Sequence, residues 1–189
     1  MTREQQAGEA YHYLRTAIVG HCSSSETTEG CLKALNLMFD LKTPAASKHH
    51  HNYEYGLIIH TAEVYQNMCF MQSGLGTSSV RFGLKLPSPS REMTLICALF
   101  HDLAKTKEYE IVNGEIVVTP YYSQIGHIVG STHMLKDYMG DTPVAEEIIH
   151  AMLAHHGQKA WGSPVEPQTP LAWLLHLADM MSAKAGPTR

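Results

Sequence analysis

The sequence predicts an all-α fold, a helical bundle that carries one small β-hairpin around residues 107–119. Apolar residues recur at helical spacing in one segment after another, as with Leu14 and Ile18, or Leu32, Leu35, Met38 and Phe39. The period changes in one place, where Lys107–Val112 and Glu115–Thr119 flank Asn113-Gly114, the sequence of a tight hairpin turn. The length of 189 residues, 44% of them apolar and 17% charged, suits one domain over 1–189 with a core of its own.

Helices are expected at about 4–19, 28–40, 57–71, 91–104, 123–138, 143–156 and 169–184, separated by Gly140, Gly157 and the pair Pro164 and Pro167. The polar stretch Ser23–Thr28 caps the second of them. Residues 1–45 read as a helical extension ahead of a core over 48–184. The serine-, glycine- and proline-rich segment 73–90 reads as a long loop, given positive charge by Arg81 and Lys85. No apolar run has the length of a membrane span, and Met1–Gly20 holds no signal-peptide core, so a cytoplasmic protein is expected. Cys22, Cys31, Cys69 and Cys97 form no CxxC and read as reduced thiols. A formal charge of -4 argues against a binder of long duplex DNA but not against a site for a short phosphate ester.

Histidine is the outlier, with 13 in the chain. The run His49-His50-His51 is internal and precedes an apolar helix, unlike an expression tag. At about 100° per residue, His60 shares a face with Leu57, Val64, Met68 and Met71. His155 falls in the middle of the stripe Val144, Ile148, Ala151 and Met152, with His156 at its edge. His127 lies with Met134, Leu135 and Tyr138, and Asp179 with Ala172, Leu175 and Ala183. His101 and Asp102 end the most apolar helix of the chain. His133 and His150 fall on outward faces. A single inward histidine is ordinarily a hydrogen-bonded core residue. Buried carboxylates without a cationic neighbour on their own face are costly, and a divalent metal satisfies them together with the imidazoles. The mixture of imidazole and carboxylate suits manganese, iron or zinc.

The order His, His-Asp, His, His-His, Asp resembles that of the HD superfamily of metal-dependent phosphohydrolases, above all the HD domain of YhaM-type 3′–5′ exoribonucleases. The blocks that carry the resemblance are HHNYEYGLIIHTAEV (50–64), ALFHDLAKTKEYE (98–110), IGHIVGS (125–131), LAHHGQKAWGSPVEPQTP (153–170) and LLHLADMMSAK (174–184). The sequence departs from the family in having Tyr55-Gly56 where two glycines are usual, and Ile59 where a glutamate often precedes the first metal histidine. The oligonucleotide-binding barrel of the exoribonucleases is not expected in residues 1–45, which read as helices.

The resemblance implies two divalent metal ions, manganese or iron foremost, with magnesium, zinc or nickel also admitted. His60, His101, Asp102 and Asp179 are implied as ligands of one metal, and Asp102 as the bridge to a second held by His127 and His155. A water between the metals is the implied nucleophile. Lys105 matches the family's HDxxK and is expected to reach a phosphate oxygen, although a solvated helix-end lysine reads equally well. His156 reads either as a group beside the ligands or as a leaving-group acid, and which of His155 and His156 is the ligand stays open. His50 and His51 are candidates for the substrate cleft, and His176 for supporting a ligand. The expected substrate is a small phosphorylated molecule, a nucleotide or short oligonucleotide, cut as a phosphomonoester or phosphodiester, with a homodimer as a further expectation. The competing readings are a di-iron oxygenase on the HD scaffold and a DNA-binding HD module of a relaxase-like assembly.

Overall fold

The computed structural model describes residues 1–48, 50–82 and 88–185, except the side chains of 75–82 and 185. In chain order the elements are α1 (Arg3–His21), α2 (Ser25–Asp40), α3 (Gly56–Phe82), α4 (Arg91–Phe100), the short α5 (Lys105–Glu108), strands β1 (Tyr109–Val112) and β2 (Glu115–Val118), the short α6 (Tyr121–Gln124), α7 (His127–Met139), α8 (Glu146–Leu153), a 3-10 turn at Lys159–Trp161, and α9 (Pro170–Ala185). The all-α expectation holds. β1 and β2 pair antiparallel with Tyr109 opposite Val118, and Asn113 and Gly114 both take the positive φ of a two-residue hairpin turn. Among the described residues no helix is long and apolar enough to cross a membrane.

The helix starts follow from local chemistry. Thr2 and Gln5 form a reciprocal capping box on α1, and the Ser24 and Ser90 hydroxyls accept from the Thr27 and Met93 amides at the starts of α2 and α4. α4 is the centre of the bundle. Every residue from Thr94 to Phe100 is buried, and α1, α2, α3, α7, α8 and α9 all pack on it. α3 and α9 pack along each other, and α8 closes on α9. The polar ligand candidates sit where α3, α4, α7, α8 and α9 converge.

Four boundaries differ from the sequence reading. α3 continues to Phe82, so the loop expected from residue 73 begins later. Gly74 and Gly76 weaken a helix by about 1 kcal/mol each but do not forbid it, and the first proline of the segment is Pro87. The Arg81 side chain and Lys85 lie outside the described residues. α4 ends at Phe100 and α8 at Leu153, so His101, Asp102, His155 and His156 stand on turns just beyond helices. The segment expected as one helix from 123 is two, α6 and α7, broken at Ile125-Gly126. All four cysteines are free thiols.

Candidate metal centre

Two turns and three helices deliver the site. The α4 C-terminus places His101 and Asp102 fully inside, and the Ala104 amide donates to Ser131 Oγ of α7 at 3.0 Å, tying this turn to the helix that begins with His127. α3 brings His60, α9 brings Asp179, and the turn after α8 brings His155 and His156. His60, His101, Asp102, His155 and Asp179 are all buried.

Asp102 lies between two groups of nitrogens. Its Oδ2 is 3.5 Å from His60 Nε2 and 3.4 Å from His101 Nε2, and Asp179 Oδ1 approaches the same two nitrogens at 3.1 and 4.0 Å. Its Oδ1 faces the other way, 3.4 Å from His127 Nε2 and 3.6 Å from His155 Nε2. His156 Nε2 lies 3.4 Å from His127 Nε2. The ligand atoms of His60, His101, Asp102 and Asp179 fall within 4.8 Å of one another, as do those of His127, His155 and His156. The arrangement thus brings together all six sequence-predicted ligands and adds His156 to the second group.

The imidazoles are set with Nε2 inward because each Nδ1 is engaged from behind. His101 Nδ1 donates to the Ala98 carbonyl at 2.9 Å, and His155 Nδ1 to the Met152 carbonyl at 2.6 Å. His156 Nδ1 donates to the Trp161 carbonyl at 3.0 Å. His127 Nδ1 faces Glu108 Oε1 at 3.3 Å. His60 Nδ1 donates to Ser182 Oγ at 2.8 Å, and that hydroxyl donates to Glu63 Oε2 at 2.6 Å. Such bonds fix the tautomer and leave the Nε2 lone pair for a cation.

Divalent metal fits this set. Asp102 Oδ1 and His155 Nε2 are buried with no hydrogen-bond partner, and His60 and His101 point Nε2 at each other across 3.4 Å. Two lone pairs that close repel unless a proton or a cation lies between them. Burial alone would lower the His60 pKa, but the Asp102 and Asp179 carboxylates raise it to about 9. Burial would raise both carboxyls, yet Lys105 and His101 hold Asp102, and His60 holds Asp179, well below the usual carboxylate range. Burial, helped by neighbouring histidine charge, pushes His50 and His156 down to about 4, and burial lowers His155.

The sign of the His60 shift yields a prediction. Without metal, its interaction with the carboxylates stabilises the fold fully below about pH 6.5 and is lost as pH rises through about 9. A cation takes the same lone pair, so binding near neutral pH is expected to release a proton, and affinity to rise toward pH 9. Calorimetric titration with manganese in buffers of different ionisation heat counts that proton. A binding heat independent of the buffer would show that His60 keeps its proton and is not a ligand.

The remaining candidates are placed less uniformly. Lys105 Nζ lies 2.6 Å from Asp102 Oδ2 and is buried, so it is neither the solvated lysine nor a free cation in a cleft. The rings of His50 and His51 each lie 5.4 Å from the His60 ring, and His51 Nε2 lies 3.3 Å from Glu63. His49 lies outside the described residues. His176 Nδ1 donates to the His155 carbonyl at 2.8 Å, in the supporting position expected of it. His133 is exposed, whereas His150 is only half-exposed and accepts from the Gln168 amide at 3.1 Å. The sequence reading missed Glu63, Glu108 and Ser182. Glu63 and Ser182 are each three residues from a candidate ligand on the same helix, His60 and Asp179, a spacing that puts them on that candidate's face. Glu108 had no such signal, because it meets His127 only through the turn that carries β1.

A helical bundle with a histidine–carboxylate centre of this order is the architecture of an HD domain. The HD domain family model matches residues 57–184, and the chain belongs to that family. Among curated proteins it is 31% identical over 156 residues to the 3′-5′ exoribonuclease YhaM of Oceanobacillus iheyensis, covering 76% of this chain and 43% of that protein. It is 28% identical over 152 residues to YhaM of Shouchella clausii, with 76% and 43% covered, and 31% identical over 149 residues to YhaM of Geobacillus sp., with 75% and 41% covered. The chain therefore spans less than half the length of these relatives. No solved structure matches it significantly.

Proposed function

We propose that the protein is a metal-dependent phosphohydrolase that cleaves a phosphate ester of a nucleotide or short oligonucleotide. The observation that carries this reading is Asp102, whose two oxygens face two separate groups of inward Nε2 atoms, the geometry of a bridging carboxylate. His60, His101, Asp102 and Asp179 would hold one divalent ion, and Asp102, His127, His155 and His156 the other, with manganese or iron the best match to the donors. When bound, the ions supply a water of lowered pKa and positive charge for the phosphate oxygens.

The protein's own groups do the positioning. Lys105 is the buried cation paired with Asp102 at 2.6 Å, and in this reading it would turn part of its charge to a phosphate oxygen once metal neutralises the carboxylate. His156 is neutral at pH 7 and gives its one N–H to the Trp161 carbonyl, so it serves as a ligand better than as a leaving-group acid. His50, also neutral, and His51 line the His60 side, where the His50 N–H would donate to substrate while His51 is turned to Glu63. The relatives are named as 3′-5′ exoribonucleases, which supports a nucleotide chain as the substrate class. A groove that tracks a long strand relies on basic charge and stacking platforms, and this chain carries a formal charge of -4.

The test is metal analysis of the purified protein, then turnover of nucleotides, dinucleotides and bis-p-nitrophenyl phosphate with manganese, then kcat/KM on RNA of increasing length at fixed salt. Hydrolysis with little gain beyond a few nucleotides is expected. A steep, salt-sensitive rise with length would favour a long-strand exonuclease, and oxygen-dependent turnover without ester hydrolysis would overturn the phosphohydrolase reading.

A further inference from the structure

The 3-10 turn Lys159–Trp161 stands beside the second group of histidines, and Trp161 is its prominent feature. The residue is 52% exposed, although tryptophan is ordinarily a buried side chain. Its backbone is fixed by the site: the Trp161 carbonyl accepts from His156 Nδ1 at 3.0 Å, and the same His156 ring points Nε2 at His127, 3.4 Å away. One imidazole therefore separates the Trp161 carbonyl from the candidate ligand nitrogens.

The indole is backed on one side. Its ring stands beside His176, tilted by 34° with centroids 6.3 Å apart, and Trp173 meets the same imidazole edge-on at 6.0 Å. His176 is buried and held by its bond to the His155 carbonyl. The turn closes with Gly162 at φ 94, the Gly162 amide on the Lys159 carbonyl and the Ser163 amide on the Gln158 carbonyl. A half-open aromatic ring on a rigid support, beside the His176 that holds the His155 carbonyl, has the properties of a stacking platform. It needs little ordering when a flat ligand settles on it.

We infer that Trp161 is a specificity-determining residue, the surface on which the nucleobase of the substrate stacks while its phosphate lies at the histidine–carboxylate centre. The inference rests on the proposed phosphate-ester reading and adds to it the preference for a base. Stacking is tolerant of base identity because every base has a π-face, so purines and pyrimidines are both accepted, the larger purine more tightly.

The test compares two ligands that differ only in the base, adenosine 5′-monophosphate and ribose 5-phosphate, with the manganese-loaded protein. The chain holds two tryptophans, so a Trp173→Phe variant leaves Trp161 as the sole indole fluorophore. Adenosine 5′-monophosphate is expected to quench that fluorescence and to bind about tenfold more tightly than ribose 5-phosphate. Calorimetry on Trp161→Ala should show the two ligands binding equally, at the strength of ribose 5-phosphate in the parent, and Trp161→Phe should restore most of the difference. Equal binding of both ligands in the parent, or an undiminished preference in Trp161→Ala, overturns the platform. Equal weakening of both ligands in Trp161→Ala would show that Trp161 acts only through His156 and likewise overturns it. Ester turnover is scored separately: a Trp161-dependent base preference in a protein that hydrolyses no ester would sink the phosphohydrolase reading and keep the platform.

Discussion

Replacing Asp102 with alanine is expected to empty both metal groups at once and to lower kcat/KM for ester hydrolysis by about three orders of magnitude, roughly 4 kcal/mol of transition-state stabilisation. The reason is its position: Oδ2 serves the His60–His101–Asp179 side and Oδ1 the His127–His155 side. No other carboxylate among the described residues faces both. Alanine also leaves the buried Lys105 ammonium without its partner at 2.6 Å, so some loss of stability accompanies the loss of metal. Asp102→Asn separates the two effects, since the amide fills the same space but is a poor metal ligand. His133→Ala, on the exposed face of α7, is the control and should leave metal content unchanged. Metal content by mass spectrometry of the native protein and steady-state kinetics check all three. Retention of two equivalents of metal by Asp102→Asn would show that the carboxylate does not bridge.

The fold class was legible from periodicity, and so was the inward placement of His60, His127 and Asp179, whereas the ligand set itself came from the family resemblance. His60, His127 and Asp179 lie on helices, where a wheel states which face a residue takes. His155 is buried, as its place on the stripe suggests, although α8 stops at Leu153: the turn that follows keeps the chain near helical geometry, with the Ala154 amide on the His150 carbonyl and the Gly157 amide on the Ala154 carbonyl. His156 was ambiguous for the same reason, because a residue at the edge of a stripe is rotated inward or outward by the turn and not by the helix.

What stayed hidden depended on the path of the backbone between elements. The two residues before the apolar start of α3 illustrate this. Tyr55 takes φ 65, a left-handed conformation that favours glycine, and is held there by its burial against Phe39 and by its amide on the Lys42 carbonyl at 2.8 Å. At Gly56 any Cβ would stand 2.0 Å from the His51 carbonyl oxygen. The glycine pair usual in the family thus has a steric cause here, and the departure at Tyr55 is offset by packing. The extent of α3 was misjudged because serine and glycine content signals a loop only on average, and a helix already nucleated over several turns extends through weak formers. The Lys105–Asp102 pair has the three-residue spacing that puts two side chains on one helical face, and the turn after α4 keeps them together at 2.6 Å.

Gly157→Ala is expected to have the second largest effect, this time on both stability and metal affinity. Gly157 has φ 83, where a side chain costs about 1–2 kcal/mol. A Cβ there would also stand 2.3 Å from the His176 ring, an overpacking worth about 1–3 kcal/mol. That ring cannot retreat easily, since its Nδ1 is bonded to the His155 carbonyl and Trp161 and Trp173 stand against it with ring centroids 6.3 and 6.0 Å away. Relief therefore has to come from the turn that carries His155 and His156, which moves the second group of nitrogens away from Asp102 Oδ1. Gly114→Ala is the matched control: its φ is 82, but it lies in the hairpin with nothing near its would-be Cβ. Denaturant unfolding should show the control losing only the backbone cost, with metal affinity intact, and Gly157→Ala losing about 2–5 kcal/mol together with a weakened second metal equivalent. If the two variants are equally stable and bind metal equally well, the contact between His176 and the turn does not hold the second group in place.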